Sequence, residues 1–335
     1  MNRVRCETGW SLHGLPALVL SNRLLRVVLL PTLGGKIWQI TYQPHGRDLL
    51  WQHPRMLPRA VPFGARYDDV FFGGWDELFP NDMPEELAGE QMPDHGEIWS
   101  IPWHWAISAQ TDDALTIHLW VETPISAVRF EKWITLREHE SVLDTHYRLT
   151  NLGRRDLPFL WKLHVAMQAT ADSVLDIGAT QMYVEDFGPP RGGATGVSYS
   201  WPYLDDASGT RHDMRRCLAP ETRSNEFQYA TALHSGWCAL THSQEQLGLA
   251  LAFDTAVLPS CWVFASYGGW RELQTVVLEP CTGYPISVAQ GVAQGTHHIL
   301  RAGAVIETRV QAIVYSGVRA VAAVAHGVII AREDG

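Results

Sequence analysis

A carboxylate and two histidines are the residues of this chain best suited to acid–base chemistry. Glu279 follows a strand-forming run, 273–278, and precedes a segment with two prolines, 280–285. A carboxylate held between a buried strand and a proline-stiffened turn loses water, which raises the pKa of a Glu side chain toward values useful for a general base. The alternative is a structural Glu279 that only accepts backbone hydrogen bonds at the end of the strand.

The two histidines offer the matching proton donors. His164 lies in a predicted strand, 157–167, where the two-residue period puts it on the same face as Lys162. His95 follows a loop rich in proline and acidic residues, which predicts a position at a junction between loop and strand. Each histidine alone is also compatible with a structural role. Together with Glu279 they supply a base, an acid and a further hydrogen-bond donor.

Four short segments, in this order, make the chain resemble the aldose 1-epimerase (galactose mutarotase) family. They are Leu30-Pro31-Thr32-Leu33-Gly34-Gly35-Lys36-Ile37, the pair His95-Gly96 followed by Trp99 and Trp103, His164 after the turn Asn151-Leu152-Gly153, and Leu278-Glu279-Pro280. The resemblance implies a large antiparallel β-sandwich, a supersandwich. It also implies that Glu279 is the base, His164 the acid and His95 a second donor to the sugar. The implied activity is an isomerase reaction that interconverts the anomers of a sugar by opening and closing its ring.

Two positions depart from the usual pattern of that family. Asp82 follows Asn81 where the family has Arg, and Val165 follows His164 where the family has Pro. We therefore expect the segment 73–81 to contribute to sugar recognition. The side chains predicted to bind the sugar, besides His95, are Trp75, Asp76, Glu77, Asn81 and Lys162. For the two carboxylates among them, a solvated acidic turn is the alternative.

Short strand-forming runs separated by Gly, Pro, Asp and Asn turns predict an all-β fold. The predicted strands are 17–20, 24–30, 36–42, 103–109, 114–122, 128–137, 142–150, 157–167, 237–242, 247–253, 260–266, 273–278 and 305–316. The chain, 1–335, is expected to form one β-sandwich domain, because a single large β domain can reach this length. The segment at about 180–226 is rich in Gly, Pro, Asp and Arg, and predicts a long loop excursion with little regular structure.

Composition limits the partners of the protein. The formal net charge is -10 and no Lys/Arg-rich run is present, which argues against nucleic acid. The five cysteines are widely spaced and form no CxxC motif, which favours a reducing compartment. The start, 1–5, is followed by no apolar region, and the longest apolar stretch, 318–331, is too short to cross a bilayer. These features predict a cytoplasmic protein with a small-molecule sugar substrate and no membrane partner, and they leave a homodimer open.

Two other classes of function fit the same residues. In a noncatalytic carbohydrate-binding sandwich they would only bind hydroxyl groups. In a metal-dependent sugar isomerase the ligands would be His95, Glu97, His164 and Glu279. We expect no metal and no cofactor, because transferring protons between a carboxylate and an imidazole needs neither. Sequence motifs of phosphate loops, nucleophile elbows and zinc proteases are absent.

Overall fold

The computed structural model describes residues 4–332, and antiparallel β-strands dominate it. The strands of the first half are β1 (Arg5–Leu12), β2 (Leu15–Ser21), β3 (Leu25–Leu30), β4 (Lys36–Tyr42), β5 (Arg47–Asp48), β6 (Trp75–Leu78), β7 (Glu85–Leu87), β8 (Glu90–Met92), β9 (His104–Gln110), β10 (Ala114–Glu122), β11 (Val128–Arg137), β12 (Val142–Asn151), β13 (Leu157–Phe159) and β14 (Lys162–Met167). Those of the middle are β15 (Ser173–Val184), β16 (Val197–Ser200), β17 (Tyr203–Asp205), β18 (Arg211–Asp213), β19 (Ser224–His242), β20 (Leu247–Phe253), β21 (Ser260–Tyr267) and β22 (Gln274–Cys281).

One short α-helix lies near the end of the chain. It is followed by four strands, and the elements are α1 (Val288–Gln294), β23 (His298–Leu300), β24 (Val305–Ser316), β25 (Val321–Ala325) and β26 (Val328–Ala331). Short 3-10 helices occupy Gln43–His45, Tyr67–Val70, Arg191–Gly193 and Pro220–Thr222.

The chain groups into two compact units. Unit 1 comprises Met1–Val165 and Thr282–Val310, and unit 2 comprises Ala166–Cys281 and Gln311–Gly335. The single domain over 1–335 that we expect from the sequence stays a prediction.

Alternation of apolar and polar residues explains strand β10, which lies between β9 and β11 in unit 1. β10 pairs with β9 and with β11, and β11 pairs with β12, all antiparallel. Along β10, Leu115, Ile117, Leu119 and Val121 are buried, whereas the residues between them are partly exposed. Successive side chains of a strand point to opposite faces, so this pattern gives one face in the core and one face toward water.

The strands β1 to β4 form a second antiparallel series in unit 1. Buried apolar side chains pack on these strands as one cluster, made of Leu15, Ala17, Val19, Val28, Leu30, Leu33, Trp38 and Phe72. β4 contacts β6 through the pair Ile37 and Trp75. Gly74, with a φ of +79°, permits this approach, because a Cβ there would lie 2.9 Å from the Ile37 carbonyl oxygen.

Unit 2 is organised around β19, which is 19 residues long. Its first part, 224–229, pairs with β21, and its last part, 237–242, pairs with β20. β15 pairs with both parts, and β21 pairs with β22. Trp237 and Trp262 are fully buried in this unit, which agrees with the usual preference of tryptophan for the interior.

The predicted strand 157–167 is interrupted in the structure. β13 ends at Phe159 and β14 begins at Lys162. The residues between them bond elsewhere: the backbone N–H of Leu160 donates to the Pro80 carbonyl at 2.7 Å, and that of Trp161 donates to the Thr282 hydroxyl at 2.8 Å. These hydrogen bonds replace the strand ladder, and residues distant in sequence supply them.

The segment at about 180–226 is more regular than predicted. It holds the end of β15, the three short strands β16 to β18 and the start of β19. β17 and β18 pair as a hairpin, with Tyr203 opposite Asp213. The Arg191 guanidinium binds the Glu226 carboxylate and donates to the Asp213 carbonyl at 3.1 Å. Strands of three or four residues carry too little alternation to be recognised in a sequence rich in Gly and Pro.

The apolar stretch 318–331 contains a hairpin in which β25 pairs with β26. Among residues 4–332, no helix is long and apolar enough to cross a membrane. Residues 1–3 of the N-terminal segment considered above lie outside the described residues.

Candidate functional site

The pairing of β6 with β14 brings three of the predicted site residues into one buried layer. In this register, His164 lies opposite Asp76 and Lys162 lies opposite Leu78. Residues two apart on a strand share a face, so Lys162 and His164 project to the same side. Asp76, Lys162 and His164 are all buried. The proximity of Asp76 to His164 therefore follows from strand pairing rather than from sequence spacing.

Four polar groups of this layer form a continuous chain. Nζ of Lys36, from β4, lies 2.5 Å from Oδ2 of Asp76 and donates to the Gly73 carbonyl at 2.8 Å. The Tyr67 hydroxyl donates to the same Oδ2 of Asp76 at 2.7 Å. The Tyr67 oxygen also lies 3.1 Å from Nδ1 of His164. Lys36 and His164 are thus connected through a carboxylate and a phenol.

Tyr67 begins the 3-10 helix Tyr67–Val70, and its backbone N–H donates to Oδ2 of Asp94 at 2.8 Å. Its ring contacts both histidines of the predicted site. The His95 ring stacks on Tyr67 with centroids 4.5 Å apart, and the His164 ring meets it edge-on at 5.1 Å. Tyr67 therefore separates the two histidines and fixes the distance between them.

His95 lies between two carboxylates. Its Nε2 is 3.1 Å from Oδ1 of Asp82, and its Nδ1 is 3.2 Å from Oδ1 of Asp94. Nζ of Lys162 lies 3.3 Å from the same oxygen of Asp82. The backbone of His95 has a φ of +57°, a conformation that is uncommon for residues other than glycine and that recurs at functional sites. The predicted loop-to-strand junction is wrong, because no strand follows until His104.

Local hydrogen bonds and one glycine shape the loop that carries His95. The side-chain amide of Asn81 donates to the carbonyls of Pro93 at 2.7 Å and Met83 at 2.8 Å. Gly96, with a φ of +79°, passes so close to Phe79 that a Cβ would lie 2.1 Å from its carbonyl oxygen. Asn81 is fully buried. Its amide group therefore holds the loop in place.

The surroundings of His164 oppose its protonation. Burial lowers the pKa of the imidazole well below its ordinary value, and the positive charges of Lys162, His95 and Lys36 add to this effect. Protonation of His164 is therefore disfavoured in the protein alone.

The surroundings of His95 have the opposite effect. Burial works against protonation, but the carboxylates of Asp82 and Asp94 outweigh it and raise the pKa of the imidazole above its ordinary value. The pKa values of two histidines on either side of one tyrosine ring are therefore shifted in opposite directions. Pairs of titratable groups whose surroundings separate their pKa values are typical of acid–base sites.

Glu77 follows Asp76 on β6 and so points to the opposite face of the strand. Its Oε1 accepts from Nζ of Lys132 at 3.1 Å and from the Tyr147 hydroxyl at 2.8 Å, and its Oε2 accepts from the Trp161 indole at 3.3 Å. Glu77 is fully buried. Neither carboxylate lies in a solvated turn, because both belong to β6 and have buried partners.

Eight residues of unit 1 form what we call the histidine cluster. They are Lys36, Tyr67, Asp76, Asp82, Asp94, His95, Lys162 and His164. Of the residues predicted to bind sugar, the structure brings His95, Asp76 and Lys162 into this cluster beside His164. The other three, Trp75, Glu77 and Asn81, are fully buried outside it.

Sequence reasoning missed four members of the histidine cluster. Lys36 lies in a segment that carries the family resemblance, and Asp82 stands where the family has Arg. Asp94 directly precedes His95. Tyr67 lies in an irregular segment with no motif, so no signal in the sequence could have found it.

Glu279 belongs to unit 2. It lies within β22 and pairs with Trp262 of β21. The predicted turn at 280 is wrong, because the strand continues to Cys281. Glu279 is only 1% exposed, so its carboxylate is withdrawn from water as predicted. Cys281 is fully buried too.

Glu97 is one of the ligands expected in a metal-dependent isomerase, but in the structure its carboxylate has other partners. The backbone N–H groups of Ile125 and Ser126 donate to it at 2.5 and 3.1 Å. Burial raises the pKa of Glu97, against the effect of these hydrogen bonds. Across residues 4–332, no group of three or more His, Cys, Asp or Glu side chains is placed to hold a metal ion.

Comparisons with known proteins identify solved structures that share this fold. No family model matches the sequence. No curated protein matches it either. Among solved structures, a candidate aldose 1-epimerase from Klebsiella pneumoniae subsp. pneumoniae is similar at a TM-score of 0.72 and 13% identity, over 93% of this chain and 83% of that chain. A galactose mutarotase-like protein from Clostridium acetobutylicum is similar at 0.65 and 12% identity, over 93% and 98%.

A third similar structure is the Slr1438 protein from Synechocystis sp. PCC 6803, with a TM-score of 0.63 and 18% identity over 92% of this chain and 99% of that chain. These similarities confirm the predicted fold class, an all-β galactose mutarotase-like sandwich. At such low identity they establish the fold alone.

Proposed function

We propose that this protein is an aldose 1-epimerase-like isomerase that interconverts the anomers of a sugar. The observation that carries the proposal is the pair of histidines on either side of Tyr67, whose pKa values are shifted in opposite directions. Opening a sugar ring requires one group that takes a proton and one that gives a proton. The mutarotase-like fold supports the same reaction class.

The proposed mechanism uses Glu279 and His164 as the two proton-transferring groups. In the assignment that the family resemblance implies, Glu279 takes the proton of the anomeric hydroxyl and His164 gives a proton to the ring oxygen. The C1–O5 bond breaks, and the open-chain aldehyde rotates about one bond. Closure with the roles exchanged gives the other anomer. Closure returns both protons, so each group recovers its starting protonation state.

The remaining members of the histidine cluster are proposed to bind and orient the sugar. His95 and Lys162 provide N–H donors, and Asp82 provides an acceptor. Asp82 stands where the family has Arg, and Lys162 places a cation 3.3 Å from its carboxylate. We propose that Lys162 and Asp82 together take over hydroxyl recognition.

Anomer exchange measured by NMR tests the proposal. Purified protein is added to a panel of neutral, acidic and phosphorylated sugars, and magnetisation transfer between the two anomeric signals is recorded. We expect faster exchange with at least one aldose. Sugar binding without faster exchange would favour a noncatalytic carbohydrate-binding sandwich instead.

We expect neutral aldoses to be better substrates than their phosphorylated or acidic counterparts. The histidine cluster holds as many carboxylates, Asp76, Asp82 and Asp94, as side chains that can carry positive charge, Lys36, Lys162 and His95. An anionic sugar would therefore meet no excess positive charge there. For one sugar compared with its phosphate ester, kcat/KM is expected to favour the neutral form by about tenfold, which corresponds to about 1.4 kcal/mol of discrimination. Preference for the ester would contradict this charge argument.

We expect anomer exchange to persist when divalent metal is removed. Proton transfer between a carboxylate and an imidazole needs no Lewis acid, whereas a metal would occupy the nitrogen that His164 needs for the transfer. The measurement is elemental analysis of purified protein together with a chelator titration of activity. Stoichiometric metal, with activity lost on chelation and restored by re-addition, would favour a metal-dependent isomerase.

A further inference from the structure

We propose that a groove in unit 2, lined by two arginines and two glutamates, binds a neutral sugar without reacting with it. Residues of two turns, 220–223 and 268–272, line this groove, which we call the arginine groove. Both turns belong to unit 2, whereas the histidine cluster belongs to unit 1. The proposal therefore goes beyond the isomerase activity and does not depend on it.

The size and the lining of the arginine groove indicate a polar ligand without net charge. Its volume is about 450 Å³, and small-molecule sites range over about 300–1,000 Å³. The charged side chains that line it are those of Glu221, Arg223, Arg271 and Glu272, and all four are exposed. Equal numbers of guanidinium and carboxylate groups favour neither a cation nor an anion. Hydroxyl groups both donate and accept hydrogen bonds, so a sugar matches this lining.

Three of these charged residues have a left-handed backbone. The φ angles are +49° at Arg223, +50° at Arg271 and +59° at Glu272. This conformation is uncommon for residues other than glycine, which adopts it without steric cost. Glycine would therefore suit the turns better than these long side chains do. Backbone strain of this kind concentrates at ligand sites, so we attribute the residue types to binding by the side chains.

The two turns are fixed by their own hydrogen bonds. The backbone N–H of Arg223 donates to the Pro220 carbonyl at 3.1 Å, and that of Gly268 donates to the Leu273 carbonyl at 2.8 Å. The Ser266 hydroxyl donates to the same Leu273 carbonyl at 2.7 Å. A Cβ on Gly268 would lie 2.2 Å from the Pro220 carbonyl oxygen, so the turns pack backbone against backbone. The groove is thus formed before a ligand binds, which lowers the entropy cost of binding.

The arginines and glutamates differ in how firmly they are held. The Arg271 guanidinium lies over the Trp270 ring, 5.0 Å from its centroid, and this contact orients it. Among the described residues, neither Glu221 nor Arg223 forms a side-chain hydrogen bond or an ion pair. Their acceptor and donor groups are therefore available to the hydroxyl groups of a sugar.

Binding of sugars that have no free anomeric hydroxyl tests the proposal. The probes are the methyl glycosides of glucose, galactose and mannose, together with sucrose and trehalose. Saturation-transfer difference NMR detects contact, and isothermal titration calorimetry gives the Kd. We expect at least one of these sugars to bind, and binding of none would overturn the inference. Since none of them can open its ring, the result is independent of anomer exchange and of the proposed function.

The Arg223→Gly variant locates the binding in the arginine groove. It removes the guanidinium and keeps the left-handed backbone. Loss of a charged hydrogen-bond donor is expected to raise the Kd by about tenfold or more. The thermal unfolding midpoint is expected to stay within about 3 °C of wild type, because relief of strain offsets the greater freedom of the unfolded chain. Unchanged sugar binding would overturn the inference.

The matched control is Gln246→Gly. Gln246 has a φ of +52° and lies in unit 2, in the turn between β19 and β20 and outside the groove. This variant makes the same backbone change, and we expect it to keep the Kd within about twofold of wild type. Equal weakening by both variants would overturn the inference. So would inorganic phosphate or alanine binding in a manner that Arg223→Gly abolishes while the sugars do not bind.

Glu221→Gln decides the question if Arg223→Gly fails to fold. Glu221 is exposed, so Gln can replace it without disturbing a buried contact. The substitution removes a charged acceptor and keeps the size of the side chain. A severalfold rise of the Kd supports the inference, and an unchanged Kd overturns it.

Discussion

We expect the Glu279→Gln variant to lose anomer exchange while it keeps the fold. Gln has the same size as Glu and still forms hydrogen bonds, but it can neither take up nor release a proton. A proton-transferring group contributes about a hundred- to ten-thousandfold to a rate, so kcat should fall by a factor in this range. The measurement is NMR magnetisation transfer on a sugar that the wild type accelerates.

Glu185→Gln is a control for this variant within the same unit. Oε2 of Glu185 accepts from the Tyr229 hydroxyl at 2.8 Å, and a Gln oxygen can do the same. We expect Glu185→Gln to keep the wild-type rate and both variants to keep the wild-type circular dichroism spectrum. A Glu279→Gln variant that is as fast as wild type would exclude Glu279 from proton transfer.

The second large effect is expected on stability, in the Glu77→Ala variant. Glu77 is the carboxylate beside Nζ of Lys132, and both side chains are 0% exposed. Removing one partner of a buried ion pair leaves an uncompensated charge and costs about 3–5 kcal/mol. Tyr147 and Trp161 also lose their acceptor. We expect the free energy of unfolding to fall by that amount, measured from the midpoint of urea denaturation.

A double variant separates the charge effect from packing. Glu77→Leu combined with Lys132→Met removes both charges and keeps apolar volume, and we expect it to recover a large part of the loss. If the free energy of unfolding of Glu77→Ala lies within about 1 kcal/mol of wild type, the loss is what an exposed ion pair would give. That result would contradict the burial of Glu77 and Lys132.

The sequence predicts the regular strands well where alternation is strong. β4, β10, β11 and β20 begin and end where they were predicted, because each alternates or is uniformly apolar between clear turns. β6 was missed, because its four residues, 75–78, include two carboxylates. Those carboxylates are tolerated in a buried strand only because lysines and phenols from distant elements bind them.

The candidate site was predicted in part. His95 and His164 could be chosen from residue type and from the family resemblance. Their relation could not be predicted, since it depends on Tyr67 between them and on a register that sets His164 opposite Asp76. The lowered pKa of His164 likewise depends on burial and on neighbouring charges, among them Lys36, which lies 128 positions earlier in the sequence (164 − 36). Such effects arise from packing and leave no local pattern in the sequence.

The most direct test of the central claim follows one aldose in D₂O by ¹H NMR after it is dissolved as a single anomer. The account predicts that the protein accelerates equilibration of the two anomeric signals while the H1 and H2 intensities are preserved, because only hydroxyl and ring-oxygen protons move. Equilibration at the uncatalysed rate for every sugar tested, or loss of H2 signal to deuterium, would contradict it.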